Sequence, residues 1–470
     1  MSGQLPSSPK FKKVTVESRY ANVSDVAQSG KKNSRQVGGH LWGLTLTYNS
    51  DMSKDEFRPL WAFIMSQQGS YGNFTVIPPE TASPRGEGGG SPVVGFVDLV
   101  SSGDFGSDTG WTEDLNGSPG GTTVISGGIL TVTQGTSSVW MGRYQAISTA
   151  IGRAYTVGFD IVSGHATLTR VGVSSSATNP GSGPFELADV AGAGAGQSLT
   201  FNAISETTYI WCIDGQSASS SSTFDNISVV GSSNLVGNGT FYGDFCWAQD
   251  LNSSSGGSTS IASGILTITQ GSNSVWMGRR QAVLTKTGDQ YTVVGDIITG
   301  SQTLSRIAAH PTIANPENGP DLGFIDGTGV GRTFTFTAVS EITYIWCIDG
   351  QSATNISTFD NITVTRNPDQ AHSLILSNAT KSQVNWLRAG DLISFLGDSK
   401  VYINTDDVST EPDGACHITV YPELNIMPAD GVAATVNNVA YTVSLVDDSQ
   451  IYDVNPPMLH DFELDLIESL

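Results

Sequence analysis

Two copies of one aromatic and polar pattern are the clearest candidates for chemistry in this sequence. Each copy brings together a tryptophan, an arginine and a glutamine: Trp140, Arg143 and Gln145 in the first, Trp276, Arg279 and Gln281 in the second. A flat aromatic ring can cover the apolar C–H face of a sugar, and guanidinium and amide groups hydrogen-bond its hydroxyls in pairs. The pattern therefore predicts a carbohydrate-binding site in each copy.

The geometry of a strand limits how these residues can act together. Side chains alternate between the two faces of a strand, so Trp140 and Arg143 point in opposite directions. Either a bulge reorients them, or one face is core and the other is the site. If Trp140 lies in the core, Arg143 and Gln145 line an open sheet surface. Trp211 and Trp346, each inside the apolar run YIWCI, are expected in the core.

The repetition extends well beyond this pattern. GILTVTQG at 128–135 returns as GILTITQG at 264–271, and STFDNI at 222–227 returns at 357–362. The register between the copies changes by a single residue over this distance, because any larger slip would move core side chains to the wrong face. The chain therefore contains a duplicated folded module, which we place at 96–231 and 232–366.

Composition sets the fold class and excludes several functions. Only 14% of the residues are charged and glycine is abundant, and short alternating apolar runs predict a mainly β protein. A net charge of -22 repels phosphate backbones, so nucleic acid is not an expected partner. The sequence has no run of 18 apolar residues and no signal peptide, so neither a membrane span nor secretion is expected. The four cysteines are expected to be small buried apolar residues rather than disulfides.

No catalytic motif is present. The sequence lacks H-E-x-x-H, G-x-S-x-G and G-K-[ST], and its six histidines are scattered. Two equivalent sites suit multivalent binding better than turnover. The sequence therefore favours a protein that is not an enzyme, although a pair of glycosidase carboxylates in one cleft stays an alternative.

The two ends of the chain look incomplete by themselves. Residues 1–80 offer three strands and one helix, whose start is predicted by the capping-box spacing of Ser53 and Glu56. Residues 367–470 offer further strands without a sheet to join, and 81–95 has the composition of a linker. The simplest arrangement pairs the ends into one discontinuous domain, with both modules inserted.

The modules resemble a known family at their ends. The second opens with NLVGNGTFYGDFCWAQDLN at 234–252, and both close with FDNI. These segments resemble the jelly-roll carbohydrate-binding modules attached to glycoside hydrolases, although the first copy departs from the opening at 101–104. The resemblance implies tandem β-jelly-roll modules that each hold a structural calcium, with Asp225 and Asp360 as ligands. The alternative is that each aspartate caps a turn before the last strand.

The terminal segments carry a second resemblance. FKKVTVESRYANV and LWGLTLTYNSDMSKDEFRPLW near the start, and LRAGDLISFLGDSKVYINTDDV and FELDLIESL near the end, resemble distal tail proteins of long-tailed phages. The resemblance implies a β-sandwich belt domain, a homo-hexameric ring between the tail tube and the tip or hub, and no enzymatic role. It places the protein in a virion assembled in the host cytoplasm, with host-surface glycans as ligands of the modules. The alternatives are a carbohydrate-active enzyme, or modules that are non-binding spacers with all their aromatic residues buried.

Overall fold

The computed structural model describes residues 3–26, 32–49, 52–179, 185–273, 275–313, 321–350, 355–367, 372–455 and 459–469. It confirms the predicted fold class, because the described chain is built from antiparallel sheets and one α-helix. Contacts group the chain into two units. Unit 1 contains Met1–Gly95, Gln370–Thr410 and Gly414–Leu470, and unit 2 contains Phe96–Asp369 and Glu411–Asp413.

The N-terminal part of unit 1 contains the helix. Its elements are β1 (Phe11–Val26), β2 (Lys32–Tyr48), α1 (Lys54–Ser66), β3 (Phe74–Val76) and β4 (Gly90–Val94). The helix begins where its capping box predicts: the backbone N–H of Ser53 donates to the Glu56 carboxylate at 2.9 Å. Phe57, Leu60 and Ile64 form its buried stripe.

Residues 96–231 form a sandwich of two five-stranded sheets, which we call module 1. Its strands are β5 (Thr112–Asp114), β6 (Thr122–Ser126), β7 (Ile129–Thr133), β8 (Met141–Ser148), β9 (Ala154–Ser163), β10 (Thr169–Ser174), β11 (Ala188–Ala191), β12 (Gly194–Asn202), β13 (Thr207–Asp214) and β14 (Ser221–Gly231). One sheet has the order β11-β10-β13-β8-β5 and is called the face sheet, and the other, β12-β9-β14-β7-β6, is the back sheet. Apolar side chains of both sheets fill the space between them.

Residues 232–366 repeat this sandwich as module 2. Its strands are β15 (Ala248–Asp250), β16 (Ser258–Ala262), β17 (Ile265–Thr269), β18 (Met277–Leu284), β19 (Gln290–Thr299), β20 (Ser305–His310), β21 (Gly323–Asp326), β22 (Gly329–Thr337), β23 (Ile342–Asp349) and β24 (Ile356–Arg366). The face sheet is β15-β18-β23-β20-β21, and the back sheet is β16-β17-β24-β19-β22. Each strand of module 1 thus has its counterpart in module 2.

The C-terminal part of the chain completes unit 1. It contributes β25 (Ser373–Ala379), β26 (Leu392–Phe395), β27 (Val401–Asn404), β28 (Cys416–Tyr421), β29 (Ala434–Thr435), β30 (Tyr441–Leu445), β31 (Asp453–Asn455), β32 (Leu459–Asp461) and β33 (Glu463–Glu468). One sheet of unit 1 has the order β1-β2-β33-β30-β3, and the other has the order β29-β26-β27-β28-β25-β4. Strands from both ends of the chain are therefore hydrogen-bonded neighbours, with Leu44 opposite Leu466.

The segment 81–95 corrects one sequence-based prediction. Its composition predicted a linker, but Gly90–Val94 forms β4 and pairs with β25, with Val94 opposite Leu376. Just before it, the buried carboxylate of Asp391 accepts hydrogen bonds from the backbone N–H groups of Arg85 and Gly86, at 2.7 and 3.1 Å. The proline in β4 is tolerated because this strand lies at a sheet edge.

The four cysteines all lie among the described residues and form no disulfide, and three of them are buried: Cys212, Cys347 and Cys416. Among the described residues, no helix is both long and apolar enough to cross a membrane.

Candidate functional site

Strand β8 separates two environments, as the alternation predicted. Met141 is fully buried in the main core of module 1, on the same side as Cys212 of the neighbouring β13. Tyr144 and Trp211 are directly opposite each other across the same two strands, but they point away from that core. We call this second side the outer face of the face sheet.

Trp140 does not lie in the main core, so the open placement of the repeated arginines that was expected in that case is not found. Arg143 and Arg279 lie on the interior side, where they are only 9% and 5% exposed, and not on an open sheet surface. The Nε of each donates at 2.8 Å to a threonine hydroxyl of the back sheet, Thr123 in module 1 and Thr259 in module 2. Each arginine therefore has a structural role inside its module, because it links the face sheet to the back sheet.

Arg279 also holds the segment that opens its module. Its guanidinium donates to the carbonyl oxygen of Trp247 at 3.1 Å and is paired with the carboxylate of Asp244. In module 1 the corresponding partners of Arg143 are more distant, with Asp108 at 3.5 Å and Glu113 at 3.9 Å. We call 98–111 and 234–247 the opening loops.

The repeated glutamines have the same internal role. Gln145 accepts a hydrogen bond from the backbone N–H of Ser101 at 2.7 Å and donates one to its carbonyl at 2.9 Å. Gln281 makes both bonds to Gly237, each at 2.8 Å. A buried amide thus pairs with the opening loop as a neighbouring strand would. The expected open placement of these side chains is wrong, whereas a sugar-binding role for them stays a prediction.

The outer face of module 1 carries an aromatic cluster. Tyr144 packs on Trp211 with ring centroids 4.5 Å apart, and Tyr209 lies 5.7 Å from Tyr144. Trp211 is fully buried beneath them, as expected, but in this second cluster and not in the main core. Trp140, just before β8, is half-buried at the margin of the cluster. The rings are tilted, at 38° between Tyr144 and Trp211 and 69° between Tyr144 and Tyr209, so the partly exposed ones offer an apolar surface without being coplanar.

A charged pair borders these rings. The guanidinium of Arg170 lies 5.3 Å from the centre of the Trp140 ring and is bonded to the carboxylate of Asp189 at 2.9 Å. Burial raises the pKa of Asp189, and the attraction of Arg170 opposes that rise. The face therefore combines stacking surface with a donor and an acceptor held in place.

Module 2 repeats this arrangement with more charge. Arg306 lies 5.0 Å from the centre of the Trp276 ring and 3.9 Å from that of Phe324. Its guanidinium is bonded to Asp326 at 2.7 Å and to Asp321 at 3.2 Å. Burial raises the pKa of Asp321, and Arg306 opposes that rise. Trp346 is fully buried beneath the face, as Trp211 is in module 1.

The two predicted calcium ligands lie at a bulge on the back sheet. Asp225 is opposite Asp160, and its carboxylate accepts the backbone N–H of Asn226 at 2.7 Å. The same bond joins Asn361 to Asp360 at 2.7 Å in module 2. Burial raises the pKa of Asp360, and the nearby Asp296 raises it further.

These contacts agree with the turn-capping alternative and also place a second carboxylate beside each predicted ligand. Within the part of the chain that the structure describes, no group of three or more His, Cys, Asp or Glu residues is arranged to hold a metal ion. Calcium also accepts amide and carbonyl oxygens, so calcium at these bulges stays a prediction.

Sequence reasoning missed the residues that close each module. The Asp98 carboxylate accepts the backbone N–H groups of Val100 and Val229, at 3.0 and 2.8 Å. The Asn234 amide oxygen does the same for Val236 and Val364, at 3.1 and 3.0 Å. Asp98 and Asn234 occupy equivalent positions in the two opening loops, and this equivalence is the sequence signal that could have identified them.

Arg170 and Arg306 were also missed. They occupy equivalent places in TRVGVS and SRIAAH, two segments of low identity, so only a residue-by-residue alignment of the copies would have found them.

Unit 1 contains a separate buried polar cluster. The Lys400 ammonium donates to the backbone carbonyl of His40 at 2.6 Å and is paired with the buried carboxylate of Glu468. Burial, together with the charge of Lys400, lowers the pKa of His40 to about 4. A cavity of about 320 Å³ lies beside His40 and is also lined by Tyr20 and Tyr421.

Comparison with known proteins does not identify a family for this chain. No family model matches, and no curated protein matches. Among solved structures, a family 4 carbohydrate-binding module is 20% identical, covers 28% of this chain and 99% of its own, and has a TM-score of 0.22. A tandem of family 22 modules from Paenibacillus barcinonensis is 11% identical over 59% of this chain and 100% of its own, also with a TM-score of 0.22. A family 29 module from Piromyces equi is 13% identical over 26% of this chain and 80% of its own, with a TM-score of 0.18. We draw nothing further from scores at this level.

Proposed function

We propose that each module binds a glycan on the outer face of its face sheet. The observation that carries this proposal is the repeated set of half-buried Trp, buried Trp, and arginine stacked on an aromatic ring. Such a face offers the stacking surface and the paired hydrogen-bonding groups that a pyranose needs. In this proposal Arg170 and Arg306 bind the sugar in place of the interior residues Arg143 and Arg279. Trp140 and Trp276 keep their predicted role in sugar binding.

A glycan array probed with the full chain tests this role. Changing Trp140 and Trp276 to alanine together removes a stacking ring from each face. We expect roughly two- to tenfold weaker binding from the lost stacking alone, about 0.5–1.5 kcal/mol, and a further loss from the apolar area that the ring no longer covers. The matched control changes Val162 and Ile298 to alanine, because these equivalent side chains are exposed on the back sheets. Undiminished binding by the tryptophan variant would place the site elsewhere. No binding by the unaltered chain would favour the spacer alternative.

Unit 1 supports a proposal about where these modules are displayed. Its residues carry the resemblance to distal tail proteins, and we propose that it forms a hexameric ring between the tail tube and the tip of a phage, without enzymatic activity. In a closed ring, weak sites on every subunit add up through a high effective concentration. Electron microscopy of the purified chain and of phage particles tests this role. A monomer in solution together with absence from the tail tip would refute it.

A further inference from the structure

We propose that the two faces bind different sugars, and that Tyr144 and Arg280 decide the difference. The proposal rests on the glycan-binding role proposed above and adds that the two copies have diverged in specificity. Module 1 is inferred to stack on apolar sugar faces, whereas module 2 is inferred to recognise particular hydroxyl groups.

The two residues occupy equivalent positions at the centre of the faces. Tyr144 is opposite Trp211 across β8 and β13, and Arg280 is opposite Trp346 across β18 and β23. In module 1 the buried indole is therefore covered by a phenol ring, 4.5 Å away between centroids. In module 2 it is covered by a guanidinium, 5.1 Å from the ring centre.

A neighbouring carboxylate pairs with the arginine in module 2. In module 2, Asp250 on β15 is bonded to Arg280 at 3.0 Å. The equivalent Asp114 in module 1 has Tyr144 in place of the arginine and accepts a hydrogen bond from the side chain of Asn179, at 3.1 Å. Arg280 and Asp250 thus form an ion pair that a tyrosine at the position of Arg280 cannot form.

The edge strand of each face sheet also differs in its side chains between the two modules. On β11, Asp189 pairs with Arg170, whereas the equivalent position on β21 is Phe324, which is 47% exposed and stacks on Arg306. Arg306 is paired instead with Asp326, two residues further along β21, and with Asp321 before that strand. The arginine thus keeps a partner, but the groups offered to a ligand are changed.

The interior side of the same strands keeps its main polar residues. Arg143, Gln145 and Cys212 recur as Arg279, Gln281 and Cys347, although Glu113 opposite Arg143 is replaced by Gln249 opposite Arg279. On the outer face, the new arginine pairs with Asp250, and Arg306 pairs with Asp326. The changes there therefore leave paired charges on the face proposed to bind the ligand.

The two chemistries select ligands by different rules. Stacking on Tyr144 and its neighbours requires an apolar C–H face and tolerates the loss of a single hydroxyl. A site built to hydrogen-bond a hydroxyl rejects the analogue that lacks it, because its polar groups are then left unpaired. Arg170 and Arg306 offer hydrogen bonds in both modules, so we expect both modules to lose affinity for some deoxy analogues. Because Arg280 adds donors in module 2, we expect that module to lose at least tenfold for a further analogue that module 1 tolerates within about threefold.

The test uses the full chain with one face inactivated at a time. The W276A and R280A double variant reports on module 1, and the W140A and Y144A double variant reports on module 2. Each is screened on an array of neutral hexose and pentose oligosaccharides. Affinities are then measured for the ligands retained and for their single-deoxy analogues. We expect two different ligand rankings, with module 2 discriminating against more deoxy analogues than module 1.

Exchange variants separate the two residues from the rest of the face. Tyr144→Arg places a guanidinium where Asp114 can accept from it, and Arg280→Tyr restores a phenol over Trp346. We expect each exchange to shift the deoxy discrimination of its module towards that of the other module. Equal rankings for both faces, or exchange variants with unchanged discrimination, would overturn this inference and leave glycan binding intact. Absence of binding by the unaltered chain would refute both proposals.

Discussion

Arg279 and Arg280 are neighbours on β18, and we predict that their removal affects stability and glycan affinity differently. Arg279 points into the sandwich and Arg280 points to the outer face. We predict that Arg279→Ala lowers stability while leaving the affinity of the folded protein for its glycan unchanged. For Arg280→Ala we predict a smaller loss of stability and a clear loss of glycan affinity.

The structure sets the size of each effect. Arg279 loses its bonds to the Thr259 hydroxyl at 2.8 Å and to the Trp247 carbonyl at 3.1 Å. Hydrogen bonds from a charged donor contribute about 1.5–3 kcal/mol each, so the loss amounts to about 3 kcal/mol or more. The ion pair with Asp244 adds little, because that carboxylate is 60% exposed. A loss of about 3 kcal/mol lowers the Tm of a unit of this size by roughly 6–12 °C.

Arg280 gives the contrasting values. Its bond to Asp250 at 3.0 Å joins two partly buried side chains, which are 19% and 26% exposed. Loss of this one charged hydrogen bond costs about 1.5 kcal/mol, so the Tm should fall by roughly 3–6 °C. Loss of a charged hydrogen bond to the ligand should weaken glycan binding about tenfold or more.

Thermal unfolding and calorimetric binding, both with the full chain and the latter well below the Tm, measure the two effects. A normal Tm with lost binding in Arg279→Ala would return the site to the interior residues and refute the assignment of the faces.

Four further predictions follow from other parts of the structure. Asn202→Ala should lower the Tm of unit 2, because the buried Asn202 amide donates to backbone carbonyls of both modules; an unchanged Tm would show that these bonds contribute nothing. The folded-state pKa of His40, about 4, lies below the ordinary value of 6.5, so stability should fall as pH drops from about 6.5 to about 4, and His40→Gln should reduce that slope in acid titrations of unfolding. If Asp225 and Asp360 hold calcium, a chelator should lower the Tm of the full chain, and no shift would leave each aspartate as a turn cap. Replacing 96–366 by a short Gly/Ser linker should leave a folded unit 1 with dispersed amide resonances, and a collapsed spectrum would show that it cannot fold without the modules.

The parts of the fold set by local pattern were predictable from the sequence. The mainly β class, the duplication and the helix after Ser53 follow from periodicity and capping, which act over a few residues. Alternation also separated Trp140 and Tyr144 from Arg143 and Gln145 correctly. What it could not show was which of the two sides is interior.

Contacts between residues that are far apart in the sequence determine which side is interior. The polarity of Arg143 and Gln145 favours an exposed side, but their partners are a threonine 20 residues away and a backbone group 44 residues away. A buried polar side chain is acceptable when every group it offers is paired. The pairing depends on where the opening loop packs, and nothing in the strand itself predicts that position.

The join between the modules determines how two different faces can act together. Asn202 of module 1 donates to the carbonyls of Leu235 and Ala282 in module 2, and the backbone N–H of Leu284 donates to the carbonyl of Gly152 at 3.0 Å. Cys246 packs against the cores of both modules.

A packed join of this kind differs from a flexible tether. A tether lets two sites search for one ligand, with an effective concentration set by its length, whereas a packed join presents both faces at one spacing. A single polysaccharide can therefore bridge the two faces only if its repeat matches that spacing. If the faces also prefer different sugars, the tandem is better suited to a surface that displays both sugars at a fixed separation than to a uniform polymer.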